Sequence, residues 1–285
     1  MKSNMVIATD LDGTLFYPRA KLRMIGKRNR LFLERFIGDG GKLLIVSSRN
    51  VYFSNKVSAN IGIPLDSICC NGALILSGGK VIKETTFSSD DALRILDKMW
   101  SEHGTSFVAS MSKEHNMVLA RKDNGFLSNF MFGLYQLFQG VYREPAIKDS
   151  KVFYDDILQG KTYKFMTMIG VTRAKIEQSK ELNKILRKEF PEAEFSWCNQ
   201  AIEITPKGCS KGQALEFYLD YHAIPRDNVL VVGDSGNDIS MFEEFKSNSF
   251  CLEHGSPSVK KHATHVIRRF YDLEKYIYPS VETIK

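Results

Sequence analysis

The sequence predicts a doubly wound α/β fold, a parallel sheet with helices on both faces, interrupted by an inserted α+β unit. Three observations lead there. Strand and helix patterns alternate at both ends of the 285-residue chain. The middle loses that alternation. Three of the inferred strands end in carboxylates or hydroxyls, as strands of a ligand-binding parallel sheet do.

The elements follow in order. Val6–Thr9 is a short β-branched run and the first strand. Residues 29–41 (NRLFLERFIGDGG) carry helical periodicity and close on glycines, and 42–48 (KLLIVSS) form a second buried strand. A helix over 50–62 is stopped by Gly62 and Pro64. From about Thr85 to Thr205 the texture changes: 89–104 and 172–190 read as amphipathic helices, and 162–171, 193–199 and 201–206 as alternating strands. The β-α rhythm then resumes with a helix over 210–225 and a strand over 228–235. Boundaries near 84 and 206 therefore assign 1–84 and 206–285 to a core and 85–205 to the insertion. The run 126–142 repeats apolar residues three and four apart, including Phe126, Phe130, Leu134 and Phe138, and is expected in the insertion's core.

Composition excludes several classes. With 43% hydrophobic and 25% charged residues the chain reads as an ordinary globular protein. A net charge of +6 favours small anions but is too weak to indicate nucleic acid, and the basic stretch 19–30 reads as a solvated flank. No apolar run is long enough for a membrane span. Five cysteines without a C-x-x-C pair form no disulfide framework, and the expected setting is the reducing cytoplasm. Cys69, Cys70 and Cys209 are expected to be packing residues.

Polar residues gather at the strand ends. Asp10 and Asp12 follow the first strand, Ser47-Ser48-Arg49 the second, and Asp234, within GDSGND, the strand over 228–235. Ligands of open α/β sheets bind beyond the carboxyl ends of the strands. Ser210 and Gln213 have capping-box spacing, and between them Lys211 puts a cation where the helix dipole disfavours one. An anion bound there reverses that penalty. Three carboxylates, a hydroxyl and a lysine together point to Mg²⁺ and a phosphate. Taken singly, Asp12-Gly13 also reads as turn chemistry and Asp238 as the N-cap of the helix over 239–245.

In these four segments (DLDGTL, Ser47 in IVSSR, Lys211 in GCSKGQAL, and GDSGNDISMF) the chain resembles the haloacid dehalogenase superfamily of phosphatases. The insertion lies between the second and third motifs, as in the Cof-like branch with a type IIB α/β cap, and CCNGALI matches that branch's segment before the cap. The resemblance implies a Rossmann-like core and an aspartyl-phosphate mechanism. Asp10 would attack phosphorus, and Asp12 would protonate the leaving oxygen and later deprotonate water. Asp10, the Asp12 carbonyl and Asp234 would hold Mg²⁺. Ser47, Lys211 and Asn237 would bind the phosphoryl oxygens, Asp238 would orient Lys211 or a metal-bound water, and the cap would select the leaving group. The chain departs from the branch at Ser48, where a glycine is usual, and at Glu253-His254-Gly255, where a G-N-A segment is usual; His254 is the histidine expected near the site.

The implied function is Mg²⁺-dependent hydrolysis of small phosphorylated metabolites, sugar phosphates leading. A sugar phosphomutase and a non-catalytic phosphometabolite-binding protein are the alternatives. The expected partner is a small phosphorylated metabolite, with no nucleic acid or membrane, and monomer or homodimer is left open.

Overall fold

The computed structural model describes residues 5–19, 23–101, 107–121, 140–168, 173–198 and 201–278. Two sheets organise them. The larger joins β1 (Val6–Thr9), β2 (Lys42–Val46), β3 (Asp66–Cys69), β4 (Leu74–Ser77) and β5 (Lys80–Glu84) to β11 (Val229–Gly233), β12 (Ser249–Leu252) and β13 (His265–Ile267). Their spatial order is β13-β12-β11-β1-β2-β3-β4-β5. Six of these strands are parallel, and β4 and β5 add an antiparallel edge hairpin. Numbered along the chain, the parallel six run 3-2-1-4-5-6, so the winding reverses between β1 and β11. That reversal leaves a crevice at the carboxyl ends of the two strands.

The smaller sheet is antiparallel in the order β7-β6-β8-β10-β9, from β6 (Phe107–Ser112), β7 (Val118–Arg121), β8 (Thr162–Met168), β9 (Ala193–Cys198) and β10 (Ala201–Pro206). All five strands come from the stretch between β5 and the Lys211 helix.

Local chemistry explains the main helices. In the core, α1 is Lys27–Gly38, and α2 (Val51–Ile61) is capped by the Asn50 side chain and ends at left-handed Gly62. The insertion contributes α3 (Ser89–Ser101), α4 (Ser150–Leu158) and α5 (Arg173–Glu189). Ala92, Ile95, Leu96 and Met99 of α3, Phe153 and Ile157 of α4, and Leu182 and Leu186 of α5 pack on Val108, Phe165, Phe195, Ile202 and Ile204. This cluster covers one face of the small sheet. By the two-residue period of strands, the neighbours Lys164 and Glu203 stand on the opposite face, towards the large sheet. Beyond the insertion, α6 is Lys211–Tyr221 and α7 Ile239–Glu244. The large sheet is apolar on both faces, with Ile7, Ile45 and Val232 in one cluster and Val6, Ala8, Leu44 and Val231 in the other.

Several features differ from the sequence expectation. The strands β3, β12 and β13 and the hairpin β4–β5, turning at Gly78-Gly79, fall where no strands were expected, and β6, β7 and α4 are further elements between β5 and β10. The apolar run 126–142 lies outside the described residues except at Gly140–Tyr142, a short 3-10 turn. From it, Tyr142 packs on Phe16 and joins the core cluster that also holds Phe53. Arg23, Lys27, Arg28 and Arg30 of the basic stretch are exposed. Among the described residues no helix is long and apolar enough to cross a membrane, and all five cysteines are free.

Candidate active site

Asp10 leaves β1 at the switch point, its N–H donating to the Val232 carbonyl at 2.9 Å. Asp234 leaves the adjacent β11. The chain after Asp10 turns sharply: Asp12 is extended and Gly13 adopts φ +82°. A Cβ at Gly13 would lie 2.4 Å from an oxygen of Asp234. Glycine therefore serves both the left-handed turn and the close approach of the two loops. Thr14 Oγ1 ties them, donating to Asp234 Oδ1 at 2.7 Å.

Lys211 enters from the first turn of α6, whose Ser210 cap accepts from the Gln213 N–H. Its fully buried ammonium donates to Asp10 Oδ1 and Asp238 Oδ1, both at 2.7 Å. Asp238 Oδ2 accepts from the backbone N–H groups of Asp234 and Ser235, each at 2.9 Å. Asp238 thus closes the short turn begun by Ser235 and also fixes Lys211, but its side chain makes no capping bond to Ile239–Glu244, contrary to the N-cap reading.

Charge is unbalanced here. Carboxylate oxygens of Asp10, Asp234 and Asp238 lie within 4.8 Å of one another, all buried. Were all three carboxylates ionised, the ammonium of Lys211 would leave an excess of two negative charges in a desolvated site. Burial pushes the Asp10 pKa well up; Lys211 opposes the rise, while Asp238 and Asp234 add to it. Asp234 is raised too, mainly by burial, which His254 opposes. Burial works against the Lys211 cation, but Asp10 and Asp238 outweigh it and raise its pKa. An all-oxygen donor set with this deficit suits a hard divalent cation.

The other expected residues are placed as follows. Ser47 is fully buried at the end of β2, its Oγ accepting from the Arg49 N–H at 3.2 Å. Asp12 stands apart from the buried cluster, held in a two-pronged contact by Arg49 at 2.5 and 2.9 Å. The Asn237 amide donates to Glu203 Oε2 at 2.8 Å. His254 Nε2 is 3.5 Å from Asp234 Oδ2, and its ring lies 3.9 Å from that of Tyr17.

Several partners were not singled out from the sequence. Arg49 also donates to Glu144 at 2.7 Å and to the Tyr142 carbonyl at 3.2 Å. Burial works against the Arg49 cation, but Asp12 and Glu144 outweigh it. Lys164 and Glu203, from β8 and β10, pair at 2.5 Å; Lys164 also donates to the Ser48 carbonyl at 2.9 Å. Glu203 accepts from Asn71 at 2.8 Å. The insertion therefore closes over the strand ends. The signal for Lys164 and Glu203 was present in the alternation of TYKFMTM and AIEITP, which puts both on the strands' polar face.

The chain is similar to known proteins over most of its length. A family model described as haloacid dehalogenase-like hydrolase matches residues 7–272. A 5-amino-6-(5-phospho-D-ribitylamino)uracil phosphatase of Bacillus subtilis strain 168 is 25% identical over 276 residues, covering 92% of each chain. A pyridoxal phosphate phosphatase of Escherichia coli strain K12 is 26% identical over 269 residues, again 92% of each. Among solved structures, the HAD subclass IIB sugar phosphatase BT4131 superposes with a TM-score of 0.72 at 18% identity, covering 96% of this chain and 99% of that one.

Proposed function

Because the chain belongs to the haloacid dehalogenase-like hydrolases, we propose that it removes phosphate from small phosphorylated metabolites, sugar phosphates foremost, with Mg²⁺ and through an aspartyl-phosphate on Asp10. The observation that carries this reading is the buried chain Asp238–Lys211–Asp10 beside Asp234, at the reversal between β1 and β11.

Asp10 is the nucleophile. Lys211 holds one of its oxygens, and the electrons of the other attack phosphorus while the ester oxygen leaves. Lys211 and Ser47 receive the phosphoryl oxygens as their charge redistributes. Asp12 gives a proton to the leaving oxygen, then takes one from the water that cleaves the acyl phosphate. Arg49 sets the direction of the Asp12 carboxylate. Asp10, Asp234 and the Asp12 carbonyl would hold Mg²⁺, which when bound neutralises the excess negative charge and lets an anionic ester approach. Residues 85–205 act as a cap that excludes bulk water and shapes the leaving-group side.

Two relatives act on phosphates of quite different bodies, a ribitylaminouracil and a pyridoxal. What they share is a phosphate on a small polar metabolite, and that is the class assigned here. A panel of phosphorylated metabolites with Mg²⁺, read by released inorganic phosphate, tests the reading. Turnover on at least one ester, lost in Asp10→Asn and in chelator, is expected. Equal phosphate release by Asp10→Asn and the native chain would remove Asp10 as nucleophile.

A further inference from the structure

From the cap side of the site we infer that Glu203 is a positioning residue. It holds the amides of Asn237 and Asn71 in their working orientation, and only while the cap is closed. The inference rests on the phosphatase reading above and adds to it a coupling between cap and chemistry.

The geometry is specific. Glu203 is 2% exposed and lies on the insertion's sheet, yet it has two partners in the core. Its Oε2 accepts from Asn71 Nδ2 and from Asn237 Nδ2, each at 2.8 Å. Its Oε1 is taken by Lys164, itself 1% exposed. A carboxamide can turn over to exchange its oxygen and nitrogen, and only its partners decide which end faces the substrate. Asn237 Oδ1 accepts from Ser235 Oγ at 2.8 Å. Asn237 Nδ2 also donates to Asn71 Oδ1 at 3.4 Å, so Glu203 ties the two amides to each other as well as to the cap.

Asn71 sits in a segment whose backbone would not hold unaided. Cys70, Asn71 and Gly72 have φ of +50°, +55° and +106° in succession. Two of the three carry side chains, for which this region is disfavoured. The Asn71 N–H is tied to the Ser47 carbonyl at 3.1 Å and the Cys70 N–H to that of Arg49 at 2.9 Å. The strained turn is thereby bound to the loop bearing Ser47, and its side chain is bound to the cap. Lys164 keeps Glu203 ionised despite burial, which alone would raise its pKa; the outcome is a pKa lowered to about 2. Glu203 is therefore an acceptor at any working pH. When the cap lifts, both amides lose that acceptor together.

Removing one member of a buried pair strands the other, so single variants confound folding with function. Two double variants, both neutral at these positions, avoid this. Lys164→Met/Glu203→Gln keeps an acceptor oxygen, whereas Lys164→Met/Glu203→Leu removes it, and both lose the Ser48 contact alike. The two are expected to melt within a few degrees of each other. Relative to the Gln pair, the Leu pair should lose at least tenfold in kcat on the best metabolite ester. Amide hydrogen exchange over residues 70–73 and 234–238 should be several-fold faster in it. Equal kcat and equal exchange in the two variants would overturn the inference and leave Glu203 as a counter-ion for Lys164. A native chain that releases no phosphate from any ester would instead sink the phosphatase reading, and the exchange comparison would still decide whether Glu203 orders the two core segments.

Discussion

The charge excess at the switch point makes Asp10→Asn a stabilising substitution in the metal-free protein. Asp10 lies within 4.8 Å of both Asp234 and Asp238. At an effective dielectric constant near 20, each of those repulsions is about 3.5 kcal/mol. Lys211 at 2.7 Å returns about 6 kcal/mol on the same scale. Attraction and repulsion nearly cancel, which leaves the cost of burying the charge, several kcal/mol for a desolvated carboxylate. An amide keeps an oxygen for Lys211 and sheds most of that cost. A net gain of about 1–3 kcal/mol follows, or a rise of roughly 2–6 °C at about 2 °C per kcal/mol for a chain of this size. The sign with pH is determined as well. The folded-state pKa of Asp10 is raised, so the penalty is present above that pKa and disappears as acid protonates the group. The gap between variant and native chain should be widest near neutrality and shrink as the pH falls. Calorimetry in chelator over a pH series measures it, and added Mg²⁺ should stabilise the native chain more than the variant. An Asn variant that melts below the native protein in chelator at neutral pH would show that Lys211 already balances the site, and the argument for a divalent cation would fall with it.

Three further outcomes are expected. Asp12→Asn should slow hydrolysis of sugar phosphates by about 10²–10⁴. On nitrophenyl phosphate, whose leaving group needs no proton, it should release one equivalent rapidly and then stall as phosphoenzyme, seen by rapid mixing; no burst would remove Asp12 as proton shuttle. Arg49→Lys keeps the charge but loses the two-pronged hold on Asp12, and should cost about tenfold in kcat on poor leaving groups, with nitrophenyl phosphate largely spared. Similar losses on both would show that Arg49 does not act through Asp12. Asp234→Ala removes a carboxylate from the cation site and should raise half-saturating Mg²⁺ at least tenfold; an unchanged requirement would mean that the cation binds elsewhere.

What the sequence made legible was whatever depends on short-range pattern. Asp10 and Asp234 end β-branched runs, so periodicity alone puts them at the rim of a parallel sheet. Lys211 is found because Ser210 and Gln213 mark a helix start, and the structure puts all three where that spacing implies. What stayed hidden depends on how two sheets meet. Alternation shows that Lys164 and Glu203 share a polar strand face, but not that the face turns inward onto Ser48, Asn71 and Asn237. Glu144 lies in a loop with no periodicity, and its role is visible only through Arg49. The β4–β5 hairpin was legible in principle, since two short strands flank Gly78-Gly79. Asp12 was legible as a strand-end carboxylate, but not that Arg49 would hold it, since that contact depends on how two loops pack.

The reversal between β1 and β11 also fixes a birth order on the ribosome. Thr14 and Asp234, which bond across that reversal, are 220 residues apart. At about 5–20 residues per second, one edge of β1 waits on the order of 10–40 s for its neighbour to be synthesised. During that wait Val6–Thr9 can pair with β2, and β3 to β5 can extend that half-sheet. The smaller antiparallel sheet is complete by Pro206 and can close on itself. The nascent chain therefore carries a finished small sheet on an unfinished large one, whose strand β1 presents bare N–H and C=O groups. Truncation between Pro206 and Val229 would freeze that state and yield a chain prone to edge-to-edge association. The cluster around Asp10 cannot assemble until Asp234 and Asp238 have been made, more than 220 residues after it.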